Sequence, residues 1–466
     1  MKSKTMYKFI LLLMMPISVF AQNTLSISNA LELINQYHPI AKQANLKVDM
    51  SNAALLSSRG AFDPAFYVNN ERKTFDGKNY FYYSNPELKI PTWFGVEVKA
   101  GVENNYGDKI SEETTLGKSS YIGVSVPLLK DLLIDKRRSD LAQSKIFVQL
   151  TKEERQLILN DLYLDGASSY WQWAYAYQKQ ATFSTIQRNT KDRLEFIKKS
   201  FQSGDRAAID TVEGLLQLQN IMNLQSQAWA DQIEEQTKLS NFLWNERLQP
   251  YELNETISPD SNWLKIDIRQ VQIPALIQVI EEASQMHPKI KMLDFKTDIL
   301  QVEKKYKAQN LLPTFRVNYN FLNKGYEFSS ITGQPLYNNN YKAGVQFGMP
   351  LFLRQARGDI KQAKIKISQL EEETKQVKLE IENKIKKYYA EIIALKNQEQ
   401  VTNNSVENAK KLLDAELQRF EIGESSLFLV NSREIKYIEL LLKSYELKSK
   451  FFKALVALNW AKGSVY

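Results

Sequence analysis

Two long stretches of the chain carry a helical pattern of hydrophobic positions and contain no proline. All 13 prolines lie outside 128–249 and 351–466. Because proline breaks helices, these stretches can hold very long ones. The pattern predicts helices over about 135–200 and 357–420, each roughly 100 Å long, with faces typical of a coiled coil. In the second stretch an apolar stripe recurs every three or four residues, formed by Ile381, Ile385, Tyr388, Ile392 and Leu395.

Other segments alternate apolar and polar residues, which predicts β-strands with two different faces. FGVEVKAGVE from Phe94 places apolar side chains at every second position, with Gly, Glu and Lys between them. FRVNYNF from Phe315, YKAGVQFGM from Tyr341 and SYIGVSVP from Ser120 alternate in the same way. A single strand of this kind would also suit a soluble core. Four of them, with one aromatic and one charged face, fit the lipid-out, water-in rule of outer-membrane barrels.

The N-terminus has the features of a secretory signal. Three lysines precede the apolar run 9–15, and 19–21 supplies a cleavage site, so we expect the mature chain to begin at Gln22. Cysteine is absent, which excludes disulfides and a lipid anchor on an N-terminal Cys. After the signal no apolar run approaches the roughly 20 residues of a membrane helix. Any membrane crossing must therefore use strands, and four strands are too few to close a barrel without further copies.

The chain shows no sign of catalytic chemistry or nucleic-acid binding. Its formal charge of +8 includes the three signal lysines, and Lys and Glu are interleaved as on solvated helix faces. The only two histidines are His38 and His287, each followed by proline, and neither has further metal ligands nearby. We expect Pro39 and Pro288 to open or kink a helix. The sequence predicts no enzyme, no metal and no cofactor.

The second half of the chain repeats the first. Pro64 follows His38 at the same distance as Pro313 follows His287. Each half then has a Pro-Leu strand exit, a long helical stretch and a Phe-x-x-Gly turn, FQSGD from Phe201 and FEIGE from Phe420. The predicted organisation is a signal peptide at 1–21, a first repeat at 22–249, a linker at 250–272 and a second repeat at 273–466.

These motifs, in this order and twice over, resemble the TolC-like outer-membrane efflux protein family across nearly all of the mature chain. A further carrier is LSISNALELINQYHP, in which we expect Asn29 and Glu32 to form a capping box. The resemblance implies a homotrimer, with a twelve-stranded barrel in the outer membrane and a hollow α-helical barrel reaching through the periplasm. It also implies a passive exit duct that works with a periplasmic adaptor protein and an inner-membrane pump or ABC exporter. The alternative is a periplasmic coiled-coil structural protein that conducts nothing.

The predicted fold is mainly α with a membrane β-barrel portion, internally duplicated, with long helical hairpins and four β-strands per protomer, closed as a trimer. The number of strands depends on an extra segment in the first half. Phe66 and Gly123 are 57 positions apart, whereas Phe315 and Gly344 are 29 apart. The segment around 70–93 is either a further strand pair, giving six strands, or an elaboration lying against the barrel. We favour the elaboration.

The two Phe-x-x-Gly turns are the candidate docking site for the adaptor. The resemblance implies that they form the periplasmic tips of the helical hairpins. The residues expected to be exposed there are Gly204, Asp205, Arg206, Gly423, Glu424 and Ser425. A plain helix stop without a partner is the alternative for either glycine alone.

The gate is predicted less directly. The family often carries an acidic pair after the second tip, but Leu429 and Ser432 occupy the matching positions here. The first tip instead offers Asp210 and Glu213, three residues apart on one helical face. Three copies could form a ring of carboxylates, or the two acids could simply suit the positive N-terminal end of their helix. Leu429 is then the candidate for an apolar constriction.

Overall fold

The structure, a computed structural model, describes residues 23–254, 256–328 and 340–464. The expected signal peptide and the mature start at Gln22 lie outside these ranges. The helices are α1 (Ile27–Tyr37), α2 (Pro39–Gly60), α3 (Lys136–Gln202), α4 (Ala208–Ser240), α5 (Leu276–Met286), α6 (Pro288–Gln309), α7 (Arg354–Glu421) and α8 (Leu427–Lys462). The strands are β1 (Asn23–Leu25), β2 (Ala65–Phe75), β3 (Lys78–Pro91), β4 (Glu97–Tyr106), β5 (Gly117–Pro127), β6 (Ile257–Pro259), β7 (Thr314–Lys324) and β8 (Tyr341–Gly348).

The two long predicted helices are confirmed. Helix α3 has 67 residues and α7 has 68, and each extends only a few residues beyond its predicted bounds. The apolar stripe of α7 is buried at Ile381, Ile385, Ile392 and Leu395. Burial of this stripe, more than intrinsic propensity, stabilises such a helix against its charged remaining surface. No helix in the described ranges is long and apolar enough to span a membrane.

The chain divides into two compact units, each built from three separate segments. The sheet unit comprises 38–165, 272–393 and 454–466, and the hairpin unit comprises 166–271, 394–453 and the described part of 1–37. Neither unit coincides with one predicted repeat, since each draws on both halves of the sequence. The repeat and linker bounds at 249–250 and 272–273 therefore stay predictions.

The sheet unit contains six antiparallel strands in the order β2-β3-β4-β5-β7-β8. The prediction that 70–93 is an elaboration lying against the barrel is wrong. This segment forms β2 and β3, a hairpin that pairs along the edge of β4 and continues the same sheet. A strand pair satisfies its backbone hydrogen bonds within the sheet and returns the chain to the end at which it entered, so the even number of strands is kept.

The cross-strand register gives the sheet one apolar and one polar face over all six strands. Residues directly opposite each other in antiparallel strands share a face. The apolar face is formed by Val68, Leu88, Val98, Ala100, Ile122, Val124, Val317, Phe321, Ala343 and Val345, and the polar face by Asn69, Glu87, Lys99, Gly101, Tyr121, Gly123, Asn318, Asn320, Lys342 and Gly344. The extra hairpin has the same two faces next to the helices, where Phe66 pairs with Leu88 and Val68 with Pro86, but further along β2 Asn70 and Arg72 share the apolar face.

On β5 the polar face is the better buried of the two. On β5 the side chains of Tyr121 and Ser125 are 4% and 2% exposed, whereas Ile122, Val124 and Val126 on the opposite face are half-buried. The Tyr121 hydroxyl donates to Glu87 Oε2 at 2.6 Å, and Gly101 directly opposite leaves room for its ring. A sheet packed on a soluble core buries its apolar face instead. This inverted burial is what a sheet with lipid outside and water inside requires.

Both histidines act as helix N-caps in the sheet unit. His38 Nδ1 accepts the Ile40 N–H at 3.2 Å, and His287 Nδ1 accepts the Lys289 N–H at 3.1 Å. The prolines that follow occupy the first turn of α2 and α6. Of the two predicted roles, opening a helix and kinking one, they have the first. Burial lowers the pKa of His287 to about 4 and keeps it neutral, as its role as acceptor requires. No cluster of three or more potential metal ligands occurs among the described residues.

The capping box expected at Asn29 and Glu32 is wrong by three residues. Helix α1 begins at Ile27, and the Ser26 hydroxyl oxygen accepts the Asn29 N–H at 3.1 Å. Ser26 is thus the cap, and Asn29 already lies inside the helix. Glu32 accepts a hydrogen bond from the Gln36 amide one turn further on, at 3.0 Å.

Two lysines hold the segment between the repeats in the hairpin unit. Lys448 Nζ on α8 donates to the carbonyl oxygens of Leu264 at 2.6 Å and Ile266 at 3.1 Å. Lys396 Nζ on α7 donates to the carbonyl oxygen of Val271. Burial lowers the pKa of Lys448, because it disfavours the charged ammonium. The hydrogen bonds to the two carbonyl oxygens offset part of that cost. The segment is therefore attached through its backbone.

We expect Gly101→Ala to destabilise the sheet. A Cβ at this position would lie 2.6 Å from the Tyr121 ring, which the bond to Glu87 holds in place. Gly344 lies on the same face, has no atom within 4 Å of its Cβ position, and supplies the matched control Gly344→Ala. The expected cost for Gly101→Ala is about 1–3 kcal/mol, against no loss for the control. Thermal unfolding of the purified protein in detergent measures both, and equal stabilities would contradict the described packing.

Candidate functional site

The two Phe-x-x-Gly turns have the same backbone structure. Each connects two helices through five residues, 203–207 and 422–426. Gly204 and Gly423 have φ angles of +85° and +82°, a region that favours glycine. The N–H of the next residue reaches back to the last helical turn, from Asp205 to the Ser200 carbonyl at 2.9 Å and from Glu424 to the Arg419 carbonyl at 2.8 Å. Both turns are therefore Schellman motifs, as the glycines predict.

Exposure at the turns follows the prediction for four of the six residues. Gly204, Asp205, Gly423 and Glu424 are exposed. Ser425 is half-buried and donates to Glu416 Oε1. The predicted exposure of Arg206 and Ser425 is therefore wrong, because both side chains are bound within the hairpins.

Arg206 connects the first turn to the second hairpin. Its guanidinium lies 3.8 Å from the centroid of the Phe420 ring and donates to the Phe420 carbonyl oxygen. Phe420 is buried with Ile197, Leu427 and Val430, whereas its counterpart Phe201 is exposed. The repeated phenylalanines thus have different roles, and only the second anchors a core.

The candidate gate residues are not all free. Glu213 Oε1 accepts a hydrogen bond from the Asn431 amide on α8 at 3.1 Å. Asp210 lies in the first turn of α4, where a negative charge suits the helix dipole. Leu429 and Ser432 on α8 are exposed. The structure brings Glu213 to Asn431 on α8, whereas Asp210 is half-buried and Leu429 and Ser432 are exposed.

A buried ion pair near the turns was not predicted. Arg193 Nη2 on α3 donates to Glu434 Oε1 on α8, and the side chains are only 13% and 11% exposed. Arg193 Nη1 and Glu434 Oε2 are buried without hydrogen-bond partners. The pair lies beside a cavity of about 560 Å³ lined largely by apolar side chains, among them Ile186, Phe196, Leu417 and Tyr437. Removing one partner of such a pair leaves an uncompensated buried charge, so it holds α3 and α8 together near the turns.

These bonds give the hairpin unit a rigid end that presents backbone and acids to solvent. Three side-chain contacts join α3 and α4, or the turn between them, to α7 and α8: Arg206 to Phe420, Glu213 to Asn431, and Arg193 to Glu434. The exposed groups include the two glycine turns, the carboxylates of Asp205 and Glu424, and large apolar side chains, among them Ile422, Ile209 and Phe428. Such a surface suits contact with another protein more than chemistry on a small molecule.

Part of the chain matches a known protein family. Residues 279–432 match the family model described as "Outer membrane efflux protein". This range covers α6, the strands β7 and β8, α7 and the second turn. No curated protein matches the chain.

The fold is similar to several solved outer-membrane proteins. The CmeC outer membrane channel of Campylobacter jejuni is 13% identical, with a TM-score of 0.62 over 94% of this chain and 85% of its own. The MtrE outer membrane channel of Neisseria gonorrhoeae, in its open state, is 11% identical, with a TM-score of 0.65 over 94% and 89%. The outer membrane protein VceC of Vibrio cholerae is 11% identical, with a TM-score of 0.61 over 94% and 96%.

The fold and the sequence motifs both indicate similarity to outer-membrane channels. The fold agrees over nearly the whole chain at low identity, and the family model matches residues 279–432. The chain thus has the fold of the outer-membrane channels, and its resemblance to the TolC-like outer-membrane efflux proteins is confirmed.

Proposed function

We propose that this protein is the outer-membrane exit duct of a tripartite efflux or type I secretion system. The observation that carries the proposal is the two-faced sheet, which has one apolar and one polar face and on β5 buries the polar one. The family match and the channel fold support the same function. In this role the sheet crosses the outer membrane, and the helical hairpins extend into the periplasm.

Conduction requires assembly, because one chain cannot close the sheet. Strands β2 and β8 form its two edges, and within the described residues each pairs on one side only. Six strands are fewer than the eight of the smallest bacterial barrels. Three copies would bring eighteen strands, where the family resemblance implied twelve, and barrels of about that size enclose a water-filled channel. Closure would join β8 of one copy to β2 of the next.

The partners follow from this role. An exit duct has no energy source of its own, so it needs an inner-membrane pump or ABC exporter to drive transport. The two glycine turns, with Asp205 and Glu424 beside them, are the proposed contact with a periplasmic adaptor protein that bridges the two membranes. The rival function, a non-conducting strut, would need neither a polar sheet face nor the space enclosed by it.

Planar-bilayer recording tests the proposed function. We expect the purified trimer to give unitary conductance steps, since the polar sheet faces of three copies line a water-filled path. Detergent without protein is the control. A properly assembled trimer that inserts and never conducts would make the protein a strut.

Substitution at the second turn tests adaptor docking. Gly423 has φ +82°, which valine does not tolerate but asparagine does. We expect Gly423→Val to abolish efflux in cells that depend on this duct, with the trimer still assembled. Gly423→Asn is the matched control and should retain efflux, because the turn keeps its shape. Unchanged efflux in the valine variant would contradict docking at this turn.

The acidic pair on α4 is the proposed selectivity element. We expect Asp210→Asn combined with Glu213→Gln to lower cation preference or relieve block by divalent cations, as three copies would lose six carboxylates. Glutamine at 213 keeps an acceptor for Asn431. The matched control is Asp192→Asn with Glu195→Gln, two exposed acids with the same spacing on α3. If reversal potential and block do not change, the two acids only suit their helix end, and Leu429 is the better constriction.

A further inference from the structure

Three turns lie together where the sheet of the sheet unit meets its helices. The β3–β4 turn follows Pro91, which is opposite Glu97, and Glu97 is opposite Ser125 near the end of β5. Strand β8 ends at Gly348, opposite Thr314 at the start of β7. The register thus places the β3–β4 turn and the two strand-to-helix turns, 128–135 and 349–353, at one end of the sheet. We call this the helix end.

The helix end exposes large apolar side chains. Leu351 is 87% exposed, Trp93 78%, Leu133 77% and Phe352 71%. Leaving such side chains in water forgoes the gain of burying them. Exposed Trp is typical of the level where a bilayer's hydrocarbon core meets its headgroups. The exposed apolar residues therefore cluster at the helix end.

Strained backbone holds two of these turns in shape. Asp131 and Leu353 have φ angles of +69° and +50°, and neither is glycine. A left-handed leucine is strained, so the conformation persists only where its surroundings stabilise it. At the first turn, Arg138 donates to the carbonyl oxygens of Asp131 and Leu132. A left-handed residue other than glycine thus occurs in the strand-to-helix turn of both halves of the chain, which indicates a common role.

A cavity of about 450 Å³ lies beside the second turn, with basic and apolar walls. Lys130 and Arg354 supply two positive charges, and Asp359 supplies one negative charge. Pro350, Leu351 and Phe352 form the apolar wall, and the Arg354 guanidinium lies 5.1 Å from the centre of the Phe352 ring. A phosphate group next to acyl chains has the complementary chemistry. A free anion would use only the basic wall, and a zwitterionic phospholipid would bring its own cation close to Lys130 and Arg354.

We propose that this cavity binds the headgroup of an anionic phospholipid in the inner leaflet of the outer membrane. The proposal rests on the proposed function, since it requires the sheet to lie in that membrane. Lys130 and Arg354 hold the phosphodiester, and Leu351 and Phe352 contact the first part of the acyl chains. The bound lipid would fix the depth of the helix end at the membrane surface.

Native mass spectrometry of the purified trimer, with phosphatidylglycerol and phosphatidylcholine added in separate samples, tests this site. Each cation near a membrane surface is worth about 1 kcal/mol, so two give a preference of roughly tenfold or more for phosphatidylglycerol. Lys130→Gln with Arg354→Gln should reduce that preference below about threefold. The matched control is Lys361→Gln with Lys364→Gln, two exposed lysines further along α7. Inorganic phosphate should not displace the lipid, because it lacks acyl chains.

The outcomes separate this proposal from the function on which it rests. Equal binding of both lipids, or a preference that the Lys130 and Arg354 changes leave intact, would overturn the site even in a conducting trimer. Displacement by inorganic phosphate would reduce it to a general anion site and also overturn it. Cross-linking from Leu351→Cys to a second copy would show that protein, and not lipid, covers the cavity. This result would also overturn the site. Bilayer conductance of the double variant should stay at the wild-type level, whereas failure of the proposed function would remove conductance from every variant.

Discussion

An open sheet edge cannot lie in hydrocarbon, and the rest of this structure depends on that constraint. Every unpaired N–H or C=O group in the bilayer core costs several kcal/mol, because no water is present to satisfy it. The chain carries two such edges, β2 and β8, on either side of a six-stranded sheet. In the proposed role, assembly is thus a condition of insertion, and the apolar and polar faces have meaning only once the edges are joined.

The long helices and the two-faced strands were predictable because their signals are local. An absence of proline over more than a hundred residues permits α3 and α7, and strict alternation identifies β4, β5, β7 and β8. The extra hairpin was misjudged for local reasons as well. In β3 the run Tyr80–Tyr83 has no alternation, and Pro86 lies inside the strand, where proline normally argues against one. Pairing with β2 and β4 outweighs both signals.

Only the backbone conformation of the candidate site could be predicted from the sequence. Glycine at the end of a helix indicates a left-handed residue, and Gly204 and Gly423 both have one. The side-chain contacts near the turns join residues more than 200 positions apart, such as Arg193 with Glu434. In sequence these charges look like any others on a solvated helix face. Only the packing of α3 against α8 distinguishes this buried pair from an exposed one.

The attachment of the segment between the repeats has a consequence for how the chain can change over time. Lys396 and Lys448 grip carbonyl oxygens of that segment, and every amino acid supplies a carbonyl. Substitutions at exposed positions of the segment therefore leave these hydrogen bonds intact, whereas loss of either lysine leaves two backbone acceptors unsatisfied. An evolving lineage is free to change the exposed side chains of this connection, but it must keep buried ones such as Trp263 and Ile268 and two lysines that lie far away in sequence.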